Sequence, residues 1–289
     1  MPHPHLPAAC LYSRPSLGRL WKKVQLTCSP FVQRPELQRL YRLPSSAIRR
    51  HWGRRPYSVL ALGCADGVKE SLLLEKLPPP AVLLAADTNP GLARLAATRL
   101  AARTKLWRKI DLTRPLPASL ARDLHPVSSN GIPIARRHPL LITLFGVLPN
   151  LPPLPLLKRV ARFLRPNDLL LFSANLAPGT CGFSGALRVL SQYDNPPTRS
   201  WLESAVGRLR PRLPKGRMQF GIFPDPRQKS LARIEARWIG AKKTLTVFSS
   251  RRPTSSQVEA WIRAAPMQKV ARYLDPLGEE GVWLVARRA

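Results

Sequence analysis

Short apolar runs alternate along the chain with segments whose apolar residues recur every three to four positions, beginning at Tyr57. Continuous apolar runs of this length are typical of strands buried on both faces, and the longer spaced segments are typical of helices. The predicted strands are YSVLAL, AVLLAAD, KLWRKIDL, HPLLITLFGVL and DLLLFSANL, and the predicted helices between them include VKESLLLEKL, GLARLAATRLAAR and LPLLKRVARFL. Strands that alternate with helices predict an α/β fold with a doubly wound parallel sheet.

The alternation lapses after the fifth strand and then resumes. Between Cys181 and Pro253 the segment LARIEARWIGAKKTLTVFSS alternates like an antiparallel hairpin, with Gly240 near its turn. The tail then gives a helix, SSQVEAWIRAA, and two strands, MQKVARYLD and VWLVARR. We therefore predict four parts: a basic, partly helical N-terminal segment (1–56), an α/β core (57–180), an inserted α+β lobe (181–253), and a helix and strand pair that complete the sheet as a terminal antiparallel hairpin (254–289).

A glycine turn, GCADG, joins the first strand to its helix. Gly63 and Gly67 lack a Cβ, which allows backbone N–H groups and the helix N-terminus to approach a ligand closely. Asp87 ends the second strand, where a carboxylate can accept both hydroxyls of a ribose. Asp111 ends the third, where it can accept from an adenine amino group. Because ligands in open α/β sheets bind at the carboxyl ends of the strands, this set predicts an adenosine-containing cofactor.

The turn also indicates which cofactor. It departs from the G-x-G-x-x-G of dinucleotide binders, and the chain has no G-x-x-x-x-G-K-[ST] phosphate loop. S-adenosylmethionine carries adenosine without phosphates, and a terminal strand pair is the usual signature of the methyltransferases that use it. The prediction is a Rossmann-like class I methyltransferase sheet. In the alternative interpretation the glycines only make a tight turn and Asp87 caps the second helix.

Four segments in chain order resemble the histidine-specific methyltransferases of the ergothioneine pathway. They are LALGCADGVKESLLLEKL, LLITLFGVLPNLPPLPLLKRVARFLRPNDLLLFSANLAP, LSQYDN and ARIEARWIG. The resemblance covers roughly residues 57–250. It implies cofactor contacts at Gly63, Lys69 and Asp87, with Asp111 and Leu112 against the adenine and Gly146 nearby. The full predicted cofactor set also includes Cys64, Gly67 and Thr88.

The resemblance further implies how an amino-acid substrate would be held. Asn150 would face its backbone groups, and Tyr193 its carboxylate or imidazole side. Tyr193 with the following Asp194 and Asn195 has the simpler interpretation of a turn before Pro196. In that family the substrate's amino group is methylated, and no catalytic residue can be named here.

The chain departs from this family in two places. The family's Thr-Glu-x-Ser motif corresponds to FSSRRPTSSQ, which has no acid, and residues 1–56 lack its Tyr-rich segment. The missing glutamate argues against histidine and favours a divergent enzyme that N-methylates an amino-acid-like or small amine. The alternatives are a methyltransferase for RNA or another anionic macromolecule and a catalytically inactive binding protein of the same fold.

Charge keeps the nucleic-acid alternative open. The chain has 47 Lys+Arg against 16 Asp+Glu, a net charge of +31, which attracts polyanions. The charge is spread along the chain without an aromatic-interleaved basic stripe, so nonspecific binding is the expected consequence.

The cysteines, the apolar runs, the histidines and the tryptophans give further expectations about metal binding, location and the core. The four cysteines show neither CxxC pairing nor a histidine at ligand spacing, so we expect no metal site. Without an apolar run of roughly 18 residues we expect no membrane span and a cytoplasmic protein. An organelle transit peptide within the acid-free first 35 residues is the alternative. Among the histidines only His138 is a candidate for chemistry, and His3, His5, His51 and His125 are expected to be solvated. The tryptophans Trp201, Trp238, Trp261 and Trp283 are expected in the core.

Overall fold

Five helices precede the first strand of the sheet. The computed structural model describes residues 4–7, 10–124, 138–209, 215–241 and 243–288. The N-terminal helices are α1 (Cys10–Ser13), α2 (Pro15–Cys28), α3 (Pro30–Gln33), α4 (Pro35–Arg42) and α5 (Pro44–Trp52). A proline opens each of α2 to α5. Its fixed φ suits the first helical turn, where its missing N–H would have no intrahelical partner.

The α/β core follows in strict alternation. Its elements are β1 (Ser58–Leu62), α6 (Val68–Leu74), β2 (Val82–Asp87), α7 (Pro90–Arg99), β3 (Thr104–Lys109), α8 (Ser119–Asp123), β4 (Leu140–Leu144), α9 (Pro153–Phe163) and β5 (Leu169–Asn175). Every residue of β1, β2 and β4 is buried, as their continuous apolar runs predict.

The second half of the chain contains the lobe and the end of the sheet. The lobe elements are α10 (Gly182–Arg188), a short 3-10 helix (Leu190–Gln192), α11 (Pro196–Leu209), β6 (Gly216–Pro224), β7 (Ala232–Gly240) and β8 (Thr244–Arg252). The tail elements are α12 (Ser255–Ala264), β9 (Met267–Leu274) and β10 (Glu280–Arg287).

The main sheet has seven strands in the order β3-β2-β1-β4-β5-β10-β9. The first five are parallel, and β10 pairs antiparallel with both β5 and β9. This confirms the predicted doubly wound sheet with a terminal antiparallel hairpin. The strand order reverses between β1 and β4, which places a ligand crevice at the carboxyl ends of these two strands.

The lobe contains a second sheet that shares its core with the N-terminus. Strands β6, β7 and β8 form an antiparallel sheet in that order. One apolar cluster joins α2, α11 and this sheet, and it includes Leu17, Val24, Trp201, Leu202, Phe220 and Val247. Helices α1 and α2 are therefore packed onto the lobe, a contact that the sequence analysis did not predict, whereas α3 to α5 pack on the core.

None of the helices in the described ranges combines the length and the apolarity that a bilayer crossing requires.

Shortening a buried side chain of α2 tests this packing. Leu17 is 0% exposed in the shared cluster, whereas Leu26 on the same helix is 60% exposed. Leu17→Ala should lower the free energy of unfolding by about 2–4 kcal/mol, because it leaves a cavity in the lobe core. Urea denaturation followed by circular dichroism measures the change. Leu26→Ala is the matched control and should stay within about 0.5 kcal/mol of the wild type. Equal, small effects from the two variants would contradict the packing of α2 in the core.

Candidate functional site

A cavity of about 480 Å³ lies at the carboxyl ends of the parallel strands, between the sheet and the lobe. Each of the first five strands contributes a residue at or just after its end: Gly63, Asp87, Asp111, Gly146 and Asn175. The facing wall comes from the lobe and the N-terminal helices, and it includes Tyr12, Trp21, Phe31, Tyr193, Trp201, Phe248, Ser250 and Arg252.

The predicted site residues come together in this cavity with one exception. Those that line it are Gly63, Cys64, Lys69, Asp87, Thr88, Asp111, Leu112, Gly146, Asn150 and Tyr193. Gly67 does not line it. This residue is the left-handed N-cap of α6, and it packs against α7.

The glycine turn is shaped by backbone conformation and packing. Gly63 and Gly67 have φ of 63° and 77°, and Ala65 between them has φ of 47°. A Cβ on Gly63 would lie 2.5 Å from Cγ2 of Val147, and one on Gly67 would lie 3.1 Å from Cβ of Ala96. The sequence analysis explained the glycines by close approach of a ligand. The structure gives another reason, since the space a Cβ would fill is taken by the protein itself.

Asp87 holds this turn in place. Its Oδ2 accepts the backbone N–H of Ala65 at 3.0 Å, and its Oδ1 accepts that of Asn89 at 2.8 Å. The cap of α7 is Asn89, whose side chain accepts from Gly91 and Leu92, so Asp87 is not the cap. Burial raises the pKa of the Asp87 carboxyl, although these backbone donors oppose the shift. A carboxylate has about four acceptor sites, so about two remain for a ligand.

Asp111 lies at the rim of the cavity in a fixed orientation. Its Oδ1 accepts the hydroxyl of Thr113 at 2.7 Å and the backbone N–H of the same residue at 2.9 Å. These hydrogen bonds, the hydroxyl first, lower the pKa of Asp111. The carboxylate therefore stays charged beside Leu112, whose carbonyl accepts from Arg159.

Lys69 is part of a buried network that reaches three elements. Its Nζ donates to the hydroxyl of Tyr41 at 2.6 Å and pairs with Oε1 of Glu280 at 3.1 Å. The Tyr41 hydroxyl donates to the same carboxylate oxygen. The ammonium also lies 5.0 Å from the ring centroid of Phe31. The network ties α6 to α4 and β10, so the charge of Lys69 is already balanced within the protein.

Glu70 is a buried acid that the sequence analysis missed. It is 1% exposed, lines the cavity from the first turn of α6, and accepts the hydroxyl of Thr143 at 3.2 Å. Burial raises the pKa of Glu70 to about 7. No sequence signal marks this acid, because it stands at a position of the α6 pattern that could equally face solvent.

The predicted substrate residues lie on opposite walls. Asn150 follows β4, and its amide donates to the carbonyl of Gly146 at 3.4 Å. Tyr193 ends the 3-10 helix of the lobe, where its hydroxyl lies 3.1 Å from Oγ of Ser250 and its ring centroid 5.6 Å from that of Phe248. Tyr193 thus projects into the cavity in addition to ending a turn.

The N-terminal helices cover the cavity through Tyr12. Its ring centroid lies 5.6 Å from those of Trp21 and Trp201, and the Asn89 side chain donates to its carbonyl at 3.1 Å. Burial raises the pKa of Tyr12, with Tyr193 and Asp87 as the neighbouring acidic groups. The spacing of Leu17, Leu20, Trp21, Val24 and Cys28 is the sequence signal that could have revealed α2 as a packed helix.

Several other expectations can be placed. Trp201, expected in the core, is buried and also lines the cavity. His138 lies before the amino end of β4, away from the cavity, and His3 and His125 fall outside the described residues. Burial raises the pKa of Cys64 well above its ordinary value, which keeps it a thiol. Within the described ranges no three His, Cys, Asp or Glu side chains are grouped so that they could hold a metal ion.

Several solved structures are similar to this protein over nearly its whole length. One similar structure is an S-adenosylmethionine-dependent methyltransferase from Clostridium acetobutylicum ATCC 824, with a TM-score of 0.51 and 11% identity over 95% of this chain and 100% of that one. The fold is that of a class I methyltransferase. Magnesium protoporphyrin IX methyltransferase from Synechocystis PCC 6803 with bound SAH is similar at a TM-score of 0.50 and 10% identity over 96% of each chain. A protein from Pyrococcus horikoshii OT3 has a TM-score of 0.50 and 13% identity over 93% of this chain and 98% of that one.

Sequence comparison adds no family to this fold. No family model matches the chain, and no curated protein matches it. The resemblance to the histidine-specific methyltransferases is therefore unsupported by a family match. Identities of 10–13% show the fold alone.

Replacing Glu70 tests its burial through pH. An acid whose pKa rises from its ordinary 4.5 to about 7 on folding keeps its proton longer in the folded state. The free energy of unfolding therefore falls as pH rises from 4.5 through 7, by a total of about 3 kcal/mol from this group. Glu70→Gln removes this loss, so its stability advantage over the wild type should grow between pH 5 and pH 8, measured by urea denaturation.

Glu75→Gln is the matched control. Glu75 is the C-cap of α6, the helix that carries Glu70, and its side chain is 51% exposed. It should leave the difference in stability between pH 5 and pH 8 unchanged. A Glu70→Gln variant that behaves like this control would show that Glu70 is not buried.

Proposed function

We propose that this protein is an S-adenosylmethionine-dependent methyltransferase that N-methylates an amino-acid-like or small amine substrate. The observation that carries the proposal is the cavity at the switch in strand order, where a buried carboxylate and a rim carboxylate stand at the ends of β2 and β3. This is where open α/β sheets bind ligands. The volume of the cavity, about 480 Å³, lies in the range of small-molecule sites.

The residues present fit the cofactor. Asp87 offers its free acceptor sites to the ribose hydroxyls, and Asp111 offers a charged acceptor to the adenine amino group. Leu112 and Val147, both partly buried, add apolar surface to the lining of the cavity near Asp111. The turn that follows β1 lacks the glycine pattern of a phosphate-binding loop, which suits an adenosine without phosphates.

The chain's main task would be alignment. When bound, S-adenosylmethionine supplies a methyl group on a sulfonium, which an amine lone pair can attack while the carbon–sulfur electron pair returns to sulfur. The protein must hold the amine in line with that bond, and the walls formed by Asn150 and Tyr193 would do so. The helices over the cavity would limit its contact with bulk water, which favours the neutral amine that the reaction requires. The amine proton goes to water or to a nearby acceptor.

The size of the cavity favours a small substrate over RNA. Its volume is about 480 Å³, and the aromatic side chains of Tyr12, Trp21 and Phe31 line one side of it. The stretch FSSRR on β8 presents Phe248, Ser250 and Arg252 to the cavity and no carboxylate. An imidazole would have no acidic partner there, which supports an amine other than histidine. The four cysteines are free, as suits the reducing cytoplasm in which we place the reaction.

Calorimetry with S-adenosylhomocysteine tests the cofactor assignment. The wild type should bind, and Asp87→Ala should weaken binding on the order of 100-fold, because two hydroxyls lose a charged acceptor. Asp123→Asn is the matched control, since this acid pairs with Arg108 at 3.0 Å on α8 and does not line the cavity. Thermal melts check that all three proteins are folded. A folded wild type that binds neither the methylated cofactor nor its product would overturn the proposal.

A further inference from the structure

Arg252 is a buried arginine that points toward the cavity. It is 1% exposed and among the largest fully buried side chains of the described residues. It ends β8, and because side chains alternate along a strand it shares a face with Phe248 and Ser250. All three line the cavity. Arg251, the neighbour in sequence, points to the opposite face and pairs with Asp225 at 2.9 Å.

Among the described residues, the hydrogen bonds of Arg252 go only to neutral groups. Nη1 donates to the carbonyl of Leu176 at 3.1 Å and Nη2 to the hydroxyl of Tyr193. The guanidinium carbon lies 4.9 Å from the ring centroid of Tyr193. Nε is buried and has no hydrogen-bond partner in the part of the chain that the structure describes. Across the described part of the chain, no carboxylate lies within the 4.0 Å of an ion pair with Arg252.

The neighbouring arginines of the lobe sheet, unlike Arg252, form ion pairs with carboxylates. Arg233 and Arg237 on β7 pair with Glu235, and Arg251 pairs with Asp225. A buried charge without a counter-charge is costly to the folded state. An anion from outside the chain would remove that cost at Arg252.

We propose that Arg252 binds a carboxylate of the substrate, which makes the substrate an amine that also carries an acid group. The acid would accept from Nε and a terminal N–H of the guanidinium, in the paired geometry that arginine offers to carboxylates. The hydroxyls of Ser250 and Tyr193 stand beside it. The amine then extends toward Asn150 and the carboxyl ends of β1 and β4. This inference rests on the proposed methyltransferase function.

The balance of charge favours a carboxylate over a phosphate dianion. The other basic side chains that line the cavity are Lys22, which is exposed to solvent, and Lys69, which is already paired with Glu280. The single buried guanidinium of Arg252 matches one negative charge.

The test compares amines that differ only in the acid group. Wild-type protein is incubated with S-adenosylmethionine and one of three matched compounds: an amino acid, its decarboxylated amine or its carboxamide. The set is repeated for each of the twenty common side chains, and the methylated product is quantified by mass spectrometry. We expect methylation of one or more acids, with the matched amine and carboxamide reduced on the order of 10- to 100-fold in kcat/KM.

Variants then assign this preference to Arg252. Arg252→Gln should lose activity on the acid by on the order of 10- to 100-fold, chiefly through KM, while the activity on the carboxamide changes little. Arg252→Lys keeps the positive charge without the paired N–H donors of the guanidinium, so its activity on the acid should lie between those of the wild type and Arg252→Gln. Arg217→Gln, which removes an exposed charge from β6, is the matched control and should behave as the wild type. S-adenosylhomocysteine should bind all four proteins with the same affinity.

The outcomes separate the two proposals. A wild type that binds no cofactor ends the methyltransferase proposal itself. A wild type that binds cofactor and methylates amines or carboxamides as well as acids overturns the role of Arg252 alone. So does loss of cofactor binding in folded Arg252→Gln, which would show that the arginine holds the cofactor's own carboxylate. Wild-type selectivity for acids needs no variant, so it tests the inference even if Arg252→Gln fails to fold.

Discussion

The carboxylate of Asp87 is the interaction on which the site depends. It accepts one backbone N–H from the turn after β1 and one from the start of α7, so it fixes two loops at the carboxyl edge of the sheet. Ala65, one of those donors, has a φ of 47°, a conformation that costs an alanine energy and persists only where neighbours hold it. The same acid lines the cavity with acceptor sites to spare. The side chain that orders both loops is thus also one that faces the cavity with free acceptor sites.

The cavity is lined by parts of the chain that are far apart in sequence. Helix α2 packs on α11 and the lobe sheet, while α4 reaches Lys69 and β10 through Tyr41. Arg34, just before α4, pairs with Asp275 and Glu279 at 2.7 Å, which fastens the same segment to the terminal hairpin. The N-terminal helices therefore connect the lobe to the core over the cavity. Arg252 adds to the cavity lining a buried guanidinium that has no carboxylate partner among the described residues.

The α/β core could be predicted from the sequence because four of its five parallel strands, β1, β2, β4 and β5, are buried. Runs such as SVLAL and VLLAAD are typical of the central strands of a parallel sheet, and the residues at their ends are then fixed by topology. That is why Gly63, Asp87 and Asp111 could be assigned to the carboxyl edge of the sheet from the sequence alone.

The walls of the cavity could not be predicted, because they depend on contacts between distant segments. Nothing local to Tyr12 or Trp201 says that they meet, and the RR of β8 looks like two more charges in a basic chain. Only the register of β8 shows that Arg251 turns to Asp225 while Arg252 turns to the cavity. Gly67 shows the converse, since its turn motif suggested a ligand contact and its neighbours are α7 side chains.

A crystal structure of the protein with S-adenosylhomocysteine tests the central claim most directly. The account predicts a ribose whose hydroxyls are within hydrogen-bond distance of the Asp87 carboxylate, an adenine near Asp111 and Leu112, and a sulfur facing the space between Asn150 and Tyr193. A ligand bound elsewhere, or a cavity that excludes it from saturated crystals while Asp87 keeps only its two backbone donors, would contradict the account.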